Sequence, residues 1–226
     1  LRHHPSLVLW AGNNEDYSIA QSVGAYHGPT EPTPEPGPSS LEKPRFDGRA
    51  LYEQVLATVC AEEDPSRPYW PGSPYSRTAA DPNAGGEGDR HIWDVWHGGM
   101  RDYQEYGAIP SRFASEFGMQ AVPDMDTARR ALSPAAVDES TLPRMNYGQY
   151  GPGRIRKYVD RNLPALPHGG VEGYVYLTQV NQAEAMAYAV RSFRRGFDAN
   201  HRTSGALVWQ FDDCWPSVSW SMMSFC

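Results

Sequence analysis

Five short apolar runs punctuate the chain. Residues 7–12 run up to Asn13-Asn14-Glu15, and Pro68-Tyr69-Trp70 stops at Pro71-Gly72. Residues 91–96 alternate apolar and polar positions ahead of His97-Gly98-Gly99. Arg112 to Phe117 encloses Ser115-Glu116, and Gly205 to Phe211 is the clearest of the five. A short apolar run bounded by turn residues predicts a strand. Helical periods lie between some of them. Leu51, Val55, Leu56 and Val59 form a stripe across residues 48–62. Val180, Ala183, Ala187, Val190 and Phe193 share one face of a helix predicted over Thr178 to Phe197, with Glu184, Arg191 and Arg195 on the other. Arg191, Arg194 and Arg195 fall late in that helix, where cations suit the dipole. A third, shorter helix is predicted over Thr127 to Leu132. Residues 28–44 hold prolines among Glu, Ser and Thr and read as a surface insertion that cannot pack a core. Residues 74–90 form a second loop, and residues 133–170 read as irregular.

Short apolar strands alternating with helices predict an α/β fold, a parallel sheet with its helices outside. Chemistry in such folds gathers at the C-terminal ends of the strands. Glu15, Glu116, His97 and Asp212-Asp213 all fall there. Two carboxylates at two strand mouths are what a retaining glycosidase requires, one to protonate the leaving oxygen and one to attack the sugar carbon. By spacing alone, two solvated strand-end glutamates fit equally well.

Composition narrows the partners. The net charge is −7 and no basic run occurs, which argues against nucleic acid and against an anionic membrane surface. No apolar stretch approaches the ~18 residues of a membrane-spanning helix. The 7 Trp and 13 Tyr suit either sugar stacking or core packing. Cys60, Cys214 and Cys226 are odd in number and widely spaced, so neither a disulfide framework nor a zinc pattern is expected. Free thiols fit a reducing, cytoplasmic compartment, although localisation stays open. His3-His4 lacks a third partner at ligand spacing, and Gly85-Gly86-Glu87-Gly88 lacks the lysine and helix of a phosphate loop. No metal or cofactor is expected. The chain begins at Leu1 and stops just after an apolar stretch, which suggests one section of a longer protein, truncated at both ends.

Several motifs carry a resemblance. Arg2-His3-His4-Pro5-Ser6 with Trp10-Ala11-Gly12-Asn13-Asn14-Glu15 resembles the acid/base strand of the β-mannosidases of glycoside hydrolase family 2. Trp93-Asp94-Val95-Trp96-His97-Gly98 is similar to a later strand of those enzymes, and Ser115-Glu116-Phe117-Gly118 to their nucleophile strand. Tyr176-Leu177-Thr178-Gln179 and Trp209-Gln210-Phe211-Asp212-Asp213-Cys214-Trp215-Pro216 resemble the last helix and last strand. The resemblance runs through nearly the whole chain and is weakest at residues 28–44 and 133–170.

It implies a partial (β/α)8 TIM barrel, strands four to eight with their helices, forming one catalytic domain over residues 1–226. The first three strands and the preceding β-sandwich domains would lie outside this chain. It also implies hydrolysis of terminal β-mannose from β-mannosides and mannooligosaccharides, with Glu15 as acid/base and Glu116 as nucleophile. Asn14, Trp96, His97, Trp209 and Trp215 are the expected sugar contacts. A family-2 hydrolase with another sugar preference remains an alternative, as do a non-catalytic carbohydrate-binding relative and a fragment inactive alone.

Overall fold

The computed structural model describes residues 1–32, 45–133, 136–148, 151–166, 169–197 and 203–224. Most of the proline-rich stretch 28–44, and Cys226, lie outside the described residues. The chain divides into two compact units. The first holds Leu1–His91, Pro110–Ser115 and His201–Gly205; the second holds Ile92–Ile109, Glu116–Asn200 and Ala206–Cys226.

In the first unit β1 (Trp10–Ala11) pairs in parallel with β2 (Tyr69–Trp70). A parallel pair needs a crossover. It is supplied by α1 (Asp16–Ser22) and a helical run of Gly48–Ala50, a π-turn Leu51–Val55 and α2 (Leu56–Glu63). The predicted strand 7–12 is thus shorter than its apolar run: Val8 and Leu9 are exposed and make no ladder. The predicted stripe Leu51, Val55 and Val59 also faces outward. Aromatic residues form the core instead. Tyr17 meets Tyr26, Phe46 and Tyr75 edge-on, with ring centroids 5.2, 5.0 and 4.9 Å away. Burial pushes the Tyr17 phenol well above its ordinary range, and the Glu53 carboxylate that accepts its hydrogen bond at 3.3 Å adds to this. The short strand β3 (Arg90–His91) pairs with β4 (Ala114–Glu116).

The second unit is mainly helical. A 3-10 segment, Tyr103–Ala108, opens with a capping box between Asp102 and Glu105 and packs on α5 (Gly170–Gly196). The buried face of α5 differs from the predicted one. Ala183 and Val190 are exposed, whereas Val175, Thr178, Asn181, Gln182, Ala185 and Ala189 are buried. Polar residues join that face because loop backbone needs partners there. Val122 N–H donates to Thr178 Oγ1 at 3.1 Å, and Gln182 Nε2 to the Met119 carbonyl at 2.8 Å.

The segment 133–170, expected to be irregular, contains α4 (Gly151–Asn162) and a 3-10 turn at Leu142–Met145. Ile155, Tyr158 and Val159 give α4 a buried i, i+3, i+4 face, which the Gly151-Pro152-Gly153 opening conceals in the sequence. The short helix α3 (Met125–Ala131) is capped by Asp124, whose side chain accepts from Asp126 N and Thr127 N. These and the Thr127 and Ser224 hydroxyls outweigh the upward push of burial and hold the Asp124 carboxyl below its ordinary range.

Gly205 to Phe211, the clearest strand pattern, forms no strand. It bonds to the β4 segment only intermittently: Gly205 O accepts from Ala114 N at 3.0 Å, Ala206 makes a single bridge, and Trp209 N–H donates to Phe117 O at 2.9 Å before Gln210 N–H turns away to Trp220 O at 3.3 Å, so no continuous ladder forms. Among the described residues the strands make two two-stranded sheets in a mixed α/β fold.

Candidate active site

Glu15 lies directly beyond β1. The parallel pairing continues past the strand through the bridge Asn14–Ser73, and Glu15 N–H donates to Ser73 O at 2.7 Å. Asn13 locks the same corner, its amide donating to Pro71 O at 2.9 Å and its Oδ1 accepting from Asp16 N at 3.1 Å. Glu15 then turns into α1 with φ 63 and ψ 0, the left-handed region that favours glycine. For a glutamate that conformation costs about 1–2 kcal/mol. Its side chain is 39% exposed, and its Oε1 lies 2.8 Å from Nδ1 of the buried His91. Asn14, beside it, is exposed.

Glu116 ends β4 and is buried. Its carbonyl accepts from Ile92 N at 2.7 Å, and its Oε2 accepts from the indole Nε1 of Trp93 at 3.1 Å. Phe117 anchors the next position, packed on Phe193 with ring centroids 5.1 Å apart. Gly118 follows because nothing larger fits: a methyl there would lie 2.1 Å from the Trp209 carbonyl oxygen. Gly118→Ala should therefore push Trp209 away from the segment that follows β4. We expect a loss of about 1–3 kcal/mol in urea unfolding, since overpacking forces backbone shifts.

Around Glu116 the second unit presents an aromatic surface. Trp93 meets His97 at 5.0 Å and Trp220 at 6.0 Å. Tyr147 bridges from Trp220 to Trp215 at 6.2 and 6.0 Å. His97 is half-buried and Trp215 half-exposed. Trp209 is 37% exposed.

Trp96 requires correction. It is 1% exposed and stacks on Tyr158 at 5.8 Å, so it is core and offers no face to a sugar. The chain turns immediately after β3, with His97 and Gly98 N–H groups both donating to Trp93 O at 2.7 and 3.0 Å. Arg154 also donates to the Trp96 and His97 carbonyls, pinning that turn. A strand reading of residues 91–96 assumes an alternation that ends at Trp93. Trp93, which donates to Glu116, and Trp220, which packs on Trp93, were not among the expected residues; the i, i+2 relation of His91 and Trp93 was the available signal. Asp213 accepts from Gln210 Nε2 at 2.8 Å and Ser219 Oγ at 2.6 Å, which makes it structural, while Asp212 is exposed.

No protein-family model matches the chain. Individual proteins do. Beta-mannosidase B of Aspergillus clavatus is 39% identical over 230 residues, covering all of this chain and 26% of that protein. Beta-mannosidase B of Thermothelomyces thermophilus is 40% identical over 233 residues, again across the whole chain and 26% of the relative. The crystal structure of a beta-D-mannosidase from Dictyoglomus thermophilum superposes with a TM-score of 0.81 at 36% identity, covering 99% of this chain and 25% of that one. The chain thus spans about a quarter of the length of the relatives it matches.

Proposed function

We propose that this chain, a relative of the β-mannosidases along its whole length, carries both catalytic carboxylates of a retaining exo-β-mannosidase and acts as part of a longer polypeptide. Glu116 is the nucleophile. The observation that carries this reading is its setting: a buried carboxylate oriented by the Trp93 indole and rimmed by aromatic rings. Such a group is held still and aimed, and the rings suit the C–H face of a pyranose.

Glu116 attacks the anomeric carbon of a terminal β-mannose while Glu15 gives its proton to the leaving oxygen. Water then releases the glycosyl-enzyme, with Glu15 taking the water proton, so the β configuration is retained. This course requires the two carboxyls ~5–5.5 Å apart across the scissile bond. Asn14, the neighbour of Glu15, bonds the sugar 2-OH in this reading, an interaction that strengthens in the transition state. His97, Trp215 and Trp209 line the sugar site, joined by Trp93 and Trp220. The corresponding architecture is the later part of a (β/α)8 barrel, strands four to eight, with β1–β2 as one of its parallel pairs.

The test is a panel of aryl β-mannoside, β-glucosaminide, β-galactoside and β-glucuronide given to the full-length protein. We expect turnover of the mannoside to exceed the others by about 100-fold or more in kcat/KM, since a site that bonds a hydroxyl discriminates strongly against substrates that do not present it. Preference for another glycoside would keep the two-carboxylate chemistry and overturn the sugar assignment. The 226-residue chain assayed alone should show little or no activity.

A further inference from the structure

Behind Glu15 lies a chain of polar side chains within the first unit that the proposed mechanism does not use. Asp89, which is buried, accepts four hydrogen bonds. Trp70 Nε1 and the Tyr75 backbone N–H donate to Oδ1 at 2.9 and 3.2 Å. The hydroxyls of Ser73 and Ser115 donate to Oδ2, each at 2.6 Å. Four donors saturate an ionised carboxylate, which is an acceptor only. The single hydroxyl hydrogen of Ser73 is thereby committed to Asp89. Ser73 Oγ also lies 2.9 Å from His91 Nε2, so at that contact Ser73 must accept and Nε2 must carry the hydrogen. The His91 backbone is clamped as well: its N–H donates to Asn83 Oδ1 at 2.8 Å and its carbonyl accepts from Asn83 Nδ2 at 3.0 Å.

The consequence falls on Glu15. With Nε2 protonated, a neutral His91 turns a bare lone pair on Nδ1 toward Glu15 Oε1, 2.8 Å away. That contact is a hydrogen bond only when the Glu15–His91 pair holds one further proton, either on the carboxyl or on Nδ1. Without it, two acceptors face each other.

We propose that His91, set in its Nε2–H tautomer by Ser73 and Asp89, is a positioning residue that aims the Glu15 carboxyl and keeps a proton on the Glu15–His91 pair. This rests on the reading of Glu15 as acid/base. When Glu15 gives its proton to the leaving-group oxygen, the bond to Nδ1 is lost. When water attacks the glycosyl-enzyme, its oxygen bonds to the anomeric carbon as the bond to Glu116 breaks and Glu116 leaves as a carboxylate; one water proton passes to Glu15, and the bond to Nδ1 re-forms. The array therefore favours return of the proton in the second half of the reaction.

The experiment compares leaving groups in the full-length protein. A dinitrophenyl β-mannoside departs without protonation, whereas mannobiose needs it. For His91→Ala we expect kcat/KM on mannobiose to fall about 10–100-fold, in the range of acid assistance and of small misplacements, and by less than about 3-fold on the dinitrophenyl substrate. His91→Asn, whose Oδ1 stands where Nδ1 does, should recover part of the loss. Equal falls on both substrates would mean that His91 is only structural and would overturn the proposal. Glu15→Ala in the same series separates the two ideas: if it shows no leaving-group dependence, the acid/base reading itself fails. Nitrogen-15 NMR of the imidazole provides a second measurement without any variant. Nε2 protonated in the resting enzyme is expected, and a neutral ring protonated only at Nδ1 would sink the proposed tautomer.

Discussion

Glu116→Ala in the full-length protein should lower kcat/KM on aryl β-mannosides by a factor on the order of 10⁴ or more, because loss of the proposed nucleophile removes the covalent route altogether. The drop should appear for activated and unactivated leaving groups alike, since both need attack at the anomeric carbon. A small anion such as azide should restore part of the rate. It can occupy the space of the lost carboxylate and attack directly, giving the α-azide through one inversion. Initial rates and NMR of the product anomer check both statements. Glu116→Gln is the control for folding. It keeps an acceptor for the Trp93 indole, which alanine leaves unpaired at a cost of about 1–3 kcal/mol. If the glutamine variant melts like the parent and retains activity, the nucleophile assignment is wrong.

The second large effect belongs to Glu15. Glu15→Ala should reduce kcat/KM on mannobiose by about 10²–10⁴, the usual contribution of a positioned acid. On dinitrophenyl mannoside the first step should be nearly spared and the second slowed, so a burst of dinitrophenol should precede a slow steady state. Azide should accelerate that steady state and yield the β-azide, because the glycosyl-enzyme is already formed. The backbone supplies an independent check. At φ 63 a β-carbon is strained, so Glu15→Gly should be more stable than Glu15→Ala by about 1 kcal/mol in urea unfolding. Equal stability of the two would remove the argument that this residue is retained against its conformational preference.

Read along the chain, the two glutamates were legible because each closes an apolar run at a point where the backbone must turn. Trp10-Ala11 and Ala114-Ser115-Glu116 do form strand, and Asn14 and Glu15 do lie where β1 gives way to α1. The helices over residues 48–62 and 178–197 were legible from the helical spacing of their apolar residues, although the faces that became buried are not the ones those stripes marked. Local patterns of this kind depend on neighbours in sequence, and sequence alone determines them.

What lay outside reach depended on partners far along the chain. Trp96 and Trp93 are both aromatic and three residues apart, and only the turn that follows β3 sends one into the core against Tyr158 and the other to Glu116. Gly205 to Phe211 has a strand's composition, yet Phe117 and Trp220 claim its backbone groups one by one. Gln182 and Thr178 enter the buried face of α5 because loop amides and carbonyls need them. The Asp89–Ser73–His91–Glu15 array joins the residue beyond β1, the turn after β2, and β3 with the residue before it, stretches that no motif links. Hydrogen-bond satisfaction in a buried interior is a property of the assembled structure, and it decided which of several chemically similar residues are buried and which remain exposed.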